Sequence, residues 1–293
     1  MSFKHLATHR FCHHHHRCHH LTLSTIMEGQ NVAKRYGQDY ATHFKAREYL
    51  DTYYNTTPED SPKRDFFPEL LQFLHSTFNN GEIRGQRLLD VGSGPTIHQV
   101  LSASEWFPEI YLSDYAQSNR EELQSWLCRS PDAFDWTKTI EFVCRLEGHR
   151  KTVEEKSVHV RKAVRAVLPC DVNQEDPLLG SWSQGPFDCI ISTLCFEAAC
   201  RSIGDFTAAL GHVCRLLRPG GWFILATELG ETFYHMGSEI FHVLSLDETV
   251  IRQVVGDAGL IIQQLELHLA PKPSPDDVND HQALLFLRAQ KKM

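Results

Sequence analysis

Three acids stand in chain order at places where chemistry could be done. Asp90 ends the apolar run RLLD, Asp114 closes YLSD, and Asp171 closes PCD; Gly92 and Gly94 follow the first of them in VGSGPT. Glycines at such a turn let the backbone double back and approach a ligand with no Cβ in the way. A dinucleotide site wants a further glycine near Ile97, where a helix N-terminus receives the pyrophosphate. Pro95, Thr96 and the bulky Ile97 occupy that stretch instead. A ligand with a cationic sulfonium and no pyrophosphate suits the turn better, and S-adenosylmethionine is such a ligand. A carboxylate beside the turn favours that cation. Asp114 lies where it can accept ribose hydroxyls, and Asp171 where it can reach an adenine amino group. Any one of these acids alone reads as a helix cap or loop carboxylate. The ordered trio at strand ends is the signal.

Such acids need a sheet to hold them. Leu88 to Val91 reads as a strand, Ile97 to Ala103 as a helix, Ile110 to Leu112 as a strand, and Asn119 to Leu127 as a helix. VRKAVRAVLPCDV reads as a helix entering a strand. FDCIIST then gives a strand, IGDFTAALGHVCRLL a helix, RPGG a turn and WFILAT a strand. This alternation predicts an α/β fold, a Rossmann-like, doubly wound parallel sheet. LIIQQLELHL and QALLFLRAQ have no helix between them and predict an antiparallel C-terminal hairpin at the sheet edge. No internal repeat or second core is evident, so residues 27–293 read as one domain.

Ahead of the sheet, YGQDYATHFKAREYLDTYY places Tyr40, Phe44 and Tyr49 loosely on one helical face. That face reads equally as a core helix or as an aromatic lid over a flat ligand; the lid would span about residues 31–80. FFPELLQFLHSTF reads as a helix. Residues 1–26, with HRFCHHHHRCHH, form a basic, His-rich leader read as low-complexity and disordered, a metal site being the rival reading.

The 293-residue chain is 42% hydrophobic and carries a formal charge of −8. The balance argues against nucleic acid, which needs clustered Lys and Arg. Apolar runs are too short to span a bilayer. Nine scattered cysteines read as reduced thiols of a cytosolic protein, Cys195 and Cys200 among them as buried and inert. The expected partner is a small molecule, the expected location the cytosol, and the expected state a monomer with no metal.

LLDVGSGPTIHQVLSA, DYAQSN, SPDAFDW, LEG, VLPCDV, STLCFEAAC and LLRPGGWFILA together resemble the vertebrate small-molecule N-methyltransferases, which act on nicotinamide, phenylethanolamine or indolethylamine. The resemblance covers about Tyr40 to Lys291 and implies a seven-stranded sheet beneath an N-terminal lid. It implies that S-adenosylmethionine is held by Tyr49, Tyr54, Gly92, Ser93, Gly94, Thr96, His98, Asp114, Tyr115, Asn119, Asp171, Val172 and Thr193. His98 departs from the family, whose members carry tyrosine there. The implied substrate pocket takes in Tyr40, Phe44, Tyr53 and Tyr234. The nicotinamide branch implies an acid at Thr227 and serines at Glu231 and near Val243, and this chain has none of them. The phenylethanolamine branch implies two glutamates near the amine, and Glu197 and Glu231 match both. It also implies a further acid in PSPDDVND, where Asp276, Asp277 and Asp280 compete; Asp277 is the choice carried forward.

The expected activity is methyl transfer from S-adenosylmethionine to the nitrogen of a small arylalkylamine, Glu197 and Glu231 handling the ammonium and its proton. One rival keeps the reaction and takes nicotinamide, another pyridine or an indolethylamine. A second, of another class, is a catalytically weak cofactor-binding or metal-binding protein.

Overall fold

Runs of apolar residues that alternate with amphipathic stretches fold into strands and helices in a computed structural model, which describes residues 34–61, 66–270 and 278–293. All fall within one unit, Val32–Met293. The leader and the loop acids Asp276 and Asp277 lie outside the described residues. The strands are β1 (Lys34–Arg35), β2 (Arg87–Val91), β3 (Glu109–Asp114), β4 (Val164–Pro169) and β5 (Phe187–Thr193). They continue with β6 (Leu217–Leu229), β7 (Phe233–Met236), β8 (Glu239–His242), β9 (Leu260–Leu269) and β10 (Ala283–Lys291). The helices are α1 (Tyr40–His43), α2 (Ala46–Tyr53), α3 (Phe66–Phe78), α4 (Gln117–Leu127) and α5 (Thr137–Leu146). After them come α6 (Val153–Ala163), α7 (Phe196–Ala199), α8 (Ile203–Arg215) and α9 (Glu248–Asp257).

Seven strands form the main sheet in the order β4-β3-β2-β5-β6-β10-β9. The pairs from β4 to β6 are parallel. β10 runs antiparallel between β6 and β9. The α/β class, the doubly wound order and the C-terminal hairpin are those expected from the sequence. Strand alternation explains why both faces are covered. On β2, Leu88 joins one apolar cluster and Leu89 the other; on β10, Leu284 and Phe286 join the first, Leu285 and Leu287 the second. α3 packs on the first face, where Phe73 stacks on Phe286 at 5.0 Å. Phe206 and Val213 of α8 and Ile251 and Val255 of α9 fill the second.

Two local expectations change. The stretch 97–103 does not form a regular helix but tight turns at His98–Val100 and Ala103–Glu105. Its polar side chains brace the glycine turn instead: Gln99 Nε2 donates to the Ser93 carbonyl and to Thr96 Oγ1, both at 2.8 Å. RPGG lies inside β6 rather than before it, and the β5–β6 register shifts beside it as a bulge. The hairpin β7–β8 and helix α5 carried no signal that had been read.

The N-terminal segment is tied down by a second, three-stranded sheet in the order β1-β8-β7. An extended backbone at Phe44 and Lys45 separates α1 from α2. Among the described residues no helix is long and apolar enough to cross a membrane.

Candidate active site

A cavity of about 480 Å³ opens where β2, β3, β4, β5 and β6 end, beneath the N-terminal aromatic segment. That is where open α/β sheets bind ligands. Its floor is the glycine turn. Gly92 has φ +71°, and a Cβ there would stand 2.3 Å from Cys195 Sγ; only glycine fits. Gly94, at φ +59°, faces open space. The Ser93 hydroxyl accepts the Ser113 amide at 3.1 Å and donates to the Asp90 carbonyl at 3.3 Å, tying the turn to β2 and β3. Thr96 donates to the Ser93 carbonyl at 2.8 Å.

Asp114, at the end of β3, lines the cavity. Its carboxylate accepts the Gly94 amide at 2.8 Å, the Ala116 amide at 2.9 Å and Asn119 Nδ2 at 2.9 Å. A carboxylate offers about four acceptor directions, so room remains for a ligand hydroxyl. Burial lifts its pKa above the ordinary carboxylate range, and those three donors hold part of the rise back. Asp171 caps the loop after β4, accepting the Asn173 amide at 3.0 Å and Gln174 Nε2 at 3.1 Å. Asp171, Val172, Asn119, Thr193 and the half-exposed Tyr115 all stand in the cavity wall. Asp90 does not. It is fully buried under the turn, and burial pushes its carboxyl up to about 7, with Ser93 lowering it in part. The expectation that this acid faces the ligand's cation is corrected accordingly.

The aromatic segment is core and cavity wall at once. Tyr40, Phe44, Tyr49 and Tyr54 line the cavity, and Phe44, Tyr49 and Tyr54 are also buried. Tyr40 stacks on Phe44 at 4.9 Å and meets Phe241 edge-on at 4.8 Å, while Tyr234 stacks on Phe241 at 5.6 Å. The Tyr40 and Tyr234 hydroxyls share a hydrogen bond. His98 stacks on Tyr54 at 5.3 Å in the same wall. Tyr53, expected in the substrate pocket, is corrected. It is fully buried, it donates to the His235 carbonyl, and its ring stands behind Tyr49 rather than in the wall.

The same cavity wall carries three buried glutamates, Glu197, Glu228 and Glu231. Glu197 lies in the first turn of α7, three residues after Leu194, a non-glycine residue at φ +52°. The Thr227 hydroxyl donates to its Oε1 at 2.8 Å. Asn279 Nδ2 donates both to Glu228 Oε2 at 2.8 Å and to Glu231 Oε1 at 2.9 Å. Asp280 turns to other work: it accepts the Thr232 amide and hydroxyl at 2.7 and 2.6 Å. Cys170 and Cys195 also line the cavity, but burial pushes the Cys170 thiol up to about 12 and Cys195 well above its usual value. Neither is a thiolate nucleophile at neutral pH.

A two-glycine turn, acids at strand ends and a wall of aromatic rings thus surround a cavity of small-molecule size. Against known proteins, the NNMT/PNMT/TEMT family model matches residues 33–292. The chain belongs to that family. It is 39% identical to indolethylamine N-methyltransferase of Oryctolagus cuniculus over 256 residues, covering 87% of this chain and 96% of that protein. Nicotinamide N-methyltransferase of Sus scrofa is 40% identical over 78% of this chain and 86% of its own length. Phenylethanolamine N-methyltransferase of Sus scrofa is 36% identical over 86% and 89%. Among solved structures, magnesium protoporphyrin IX methyltransferase from Synechocystis PCC 6803 with bound SAM shares the fold at TM-score 0.53 and 14% identity, covering 87% of this chain and 94% of that one.

This member of the family is therefore a small-molecule N-methyltransferase that uses S-adenosylmethionine. The three relatives name three different acceptors, so likeness gives the reaction and leaves the acceptor to the pocket. Sequence reading missed Glu228, Asn279, Gln38 and Arg201. An acid inside the apolar run ILATEL could have flagged Glu228. Asn279 carries no such signal among the acids of its loop.

Proposed function

We propose that the enzyme methylates the amine of a small arylalkylamine of the phenylethanolamine type. The observation that carries this reading is the pair of buried carboxylates, Glu197 and Glu231, in a cavity wall shared with aromatic rings. An aliphatic amine is protonated near neutral pH and must lose a proton before its lone pair can attack. Glu197 and Glu231 receive the ammonium, orient it and take or relay its proton. Tyr40, Phe44 and Tyr234 pack on the aryl group. A nicotinamide ring nitrogen is already unprotonated, so it needs no carboxylate to take a proton.

The cofactor fits the remaining wall: a turn where a Cβ at Gly92 would collide with Cys195, and Asp114 with an acceptor direction to spare. Gly92, Ser93, Gly94, Thr96, His98, Asp114, Tyr115, Asn119, Asp171, Val172, Thr193, Tyr49 and Tyr54 would hold it. When bound, S-adenosylmethionine would supply an electrophilic methyl group carried on a sulfonium. No covalent enzyme intermediate is required, so holding the two reactants in line is the chain's main contribution. Placing the ammonium against carboxylates and closing aromatic rings over it does this and excludes water.

Glu231→Ala separates the roles. Amine turnover, as kcat/KM, should fall about a hundredfold or more, with S-adenosylmethionine affinity by calorimetry changed less than about threefold. Equal losses in both would contradict the assignment.

A further inference from the structure

Tyr49 stands in the cavity wall on the first turns of α2, and the two ends of that helix are held differently. The far end is pinned in the core. Leu50 and Tyr53 are fully buried, and the Ser61 hydroxyl donates to the Tyr53 carbonyl at 2.8 Å. The near end follows the extended backbone of Phe44 and Lys45 and has no side-chain cap among the described residues.

That near end is gripped from outside the cavity. Residues two apart on a helix point in nearly opposite directions, so Arg47 leaves α2 on the side away from Tyr49. It reaches α4 instead. Arg47 Nε donates to Glu122 Oε1 at 3.0 Å and Nη2 to Glu122 Oε2 at 2.7 Å; Nη2 also donates to the Asp132 carbonyl at 2.8 Å. Beside this clamp the Ser118 hydroxyl donates to the Phe44 carbonyl at 3.3 Å. Glu122 sits one turn after Asn119 on the same face of α4, and Asn119 Nδ2 donates to Asp114 at 2.9 Å. One helix face thus holds both Asp114 and the start of α2.

Most ion pairs at a surface contribute little. This one differs in geometry: it is two-pronged, the Glu122 side chain is only 17% exposed, and a third acceptor fixes the plane of the guanidinium. A fork of that kind sets orientation as well as distance, which a lysine does not. The Tyr49 and Tyr54 hydroxyls are 3.4 Å apart, and Tyr54 stacks on His98, so a displaced Tyr49 disturbs its neighbours in the wall.

We propose that Arg47 is a positioning residue for the cofactor. Standing outside the cavity wall and clamped on Glu122, it fixes the start of α2 on α4 and so keeps Tyr49 and Tyr54 in the part of the wall that would hold S-adenosylmethionine. This rests on the reading above that gives those tyrosines to the cofactor.

The test is calorimetric binding of S-adenosylmethionine to the full chain and to Arg47→Ala, Glu122→Ala, the double variant and Gly92→Ala, with thermal unfolding of each unliganded sample. Each single clamp variant should bind about tenfold more weakly, and the double variant no more weakly than either, because both changes remove one clamp. A lower melting temperature with affinity within about threefold of the parent would make the pair merely structural and overturn the proposal. Losses that multiply in the double variant would show two separate roles and overturn it as well. In both cases weakened binding by Gly92→Ala leaves the cofactor reading standing, whereas unchanged affinity in every variant overturns both. If Arg47→Ala or Glu122→Ala does not fold, Arg47→Lys decides, since it keeps the charge and gives up the fork. Binding weakened about threefold or more then supports the proposal, and a smaller change ends it.

Discussion

At the scale of single residues, the site depends on contacts that tolerate no added atom and on acids whose partners are fixed. Gly92 is the clearest case. Its left-handed φ disfavours any other residue, and Cys195 Sγ already fills the space a Cβ would need. Gly92→Ala should weaken S-adenosylmethionine binding by about tenfold or more and destabilise the fold by about 1–3 kcal/mol. Calorimetry and thermal unfolding of the same sample measure both; unchanged affinity would mean the turn is not the cofactor's floor. Gly94 is the contrast, since open space surrounds it and only its φ argues for glycine. Among the acids, environment separates roles that the sequence leaves alike. Asp114 reaches the wall with three donors around it, whereas Asp90 lies sealed beneath the turn.

At the scale of elements, the lid is held by aromatic packing and by one short parallel pairing. Phe241 on β8 is fully buried and touches Tyr40, Phe44 and Tyr234. β1 pairs with the same strand, Lys34 opposite Ile240. Removing that ring should loosen the lid as a unit. Phe241→Ala is expected to cost about 3–5 kcal/mol and to raise KM for cofactor and amine together, which steady-state kinetics on both substrates would show. A rise for one alone would mean the lid does not close over both. These elements also show what a sequence makes legible. β2, β3 and the C-terminal hairpin announce themselves through apolar runs ending in acids or turns. The hairpin β7–β8 does not, because its strands are four residues each and Tyr234 reads as a substrate contact rather than as a strand residue. Tyr53 was misplaced for a similar reason: clustered tyrosines indicate an aromatic wall, but the break at Phe44 and Lys45 decides which ring faces it. Glu228 and Asn279 meet from positions fifty-one apart, brought together by the β6–β10 pairing and by the bridge from Asn279 to Tyr234.

At the scale of the whole molecule, one buried acid should set part of the pH dependence of stability. Asp90 has a carboxyl raised to about 7 by burial, against about 3.9 in an unfolded chain. Between those values the native state keeps a proton that the unfolded state releases, so stability falls as pH rises through this window. The contribution is complete below about pH 4 and gone above about pH 7. Asp90→Asn should therefore raise the melting temperature at pH 8 relative to the parent, with the gap shrinking toward pH 5. A gap that widens on acidification would show that Asp90 is ionised in the fold. On the proposed reading, the ends of β2 to β5 hold the cofactor, the β6 wall holds the acceptor and the aromatic segment meets both. Family membership gives the reaction, and on that reading the β6 wall carries the choice of substrate. The most direct test is to compare initial rates of methyl transfer to phenylethanolamine, tryptamine and nicotinamide under identical conditions, with S-adenosylmethionine saturating. The expected result is the highest kcat/KM for phenylethanolamine. A clear preference for nicotinamide would contradict the role given to the buried glutamates.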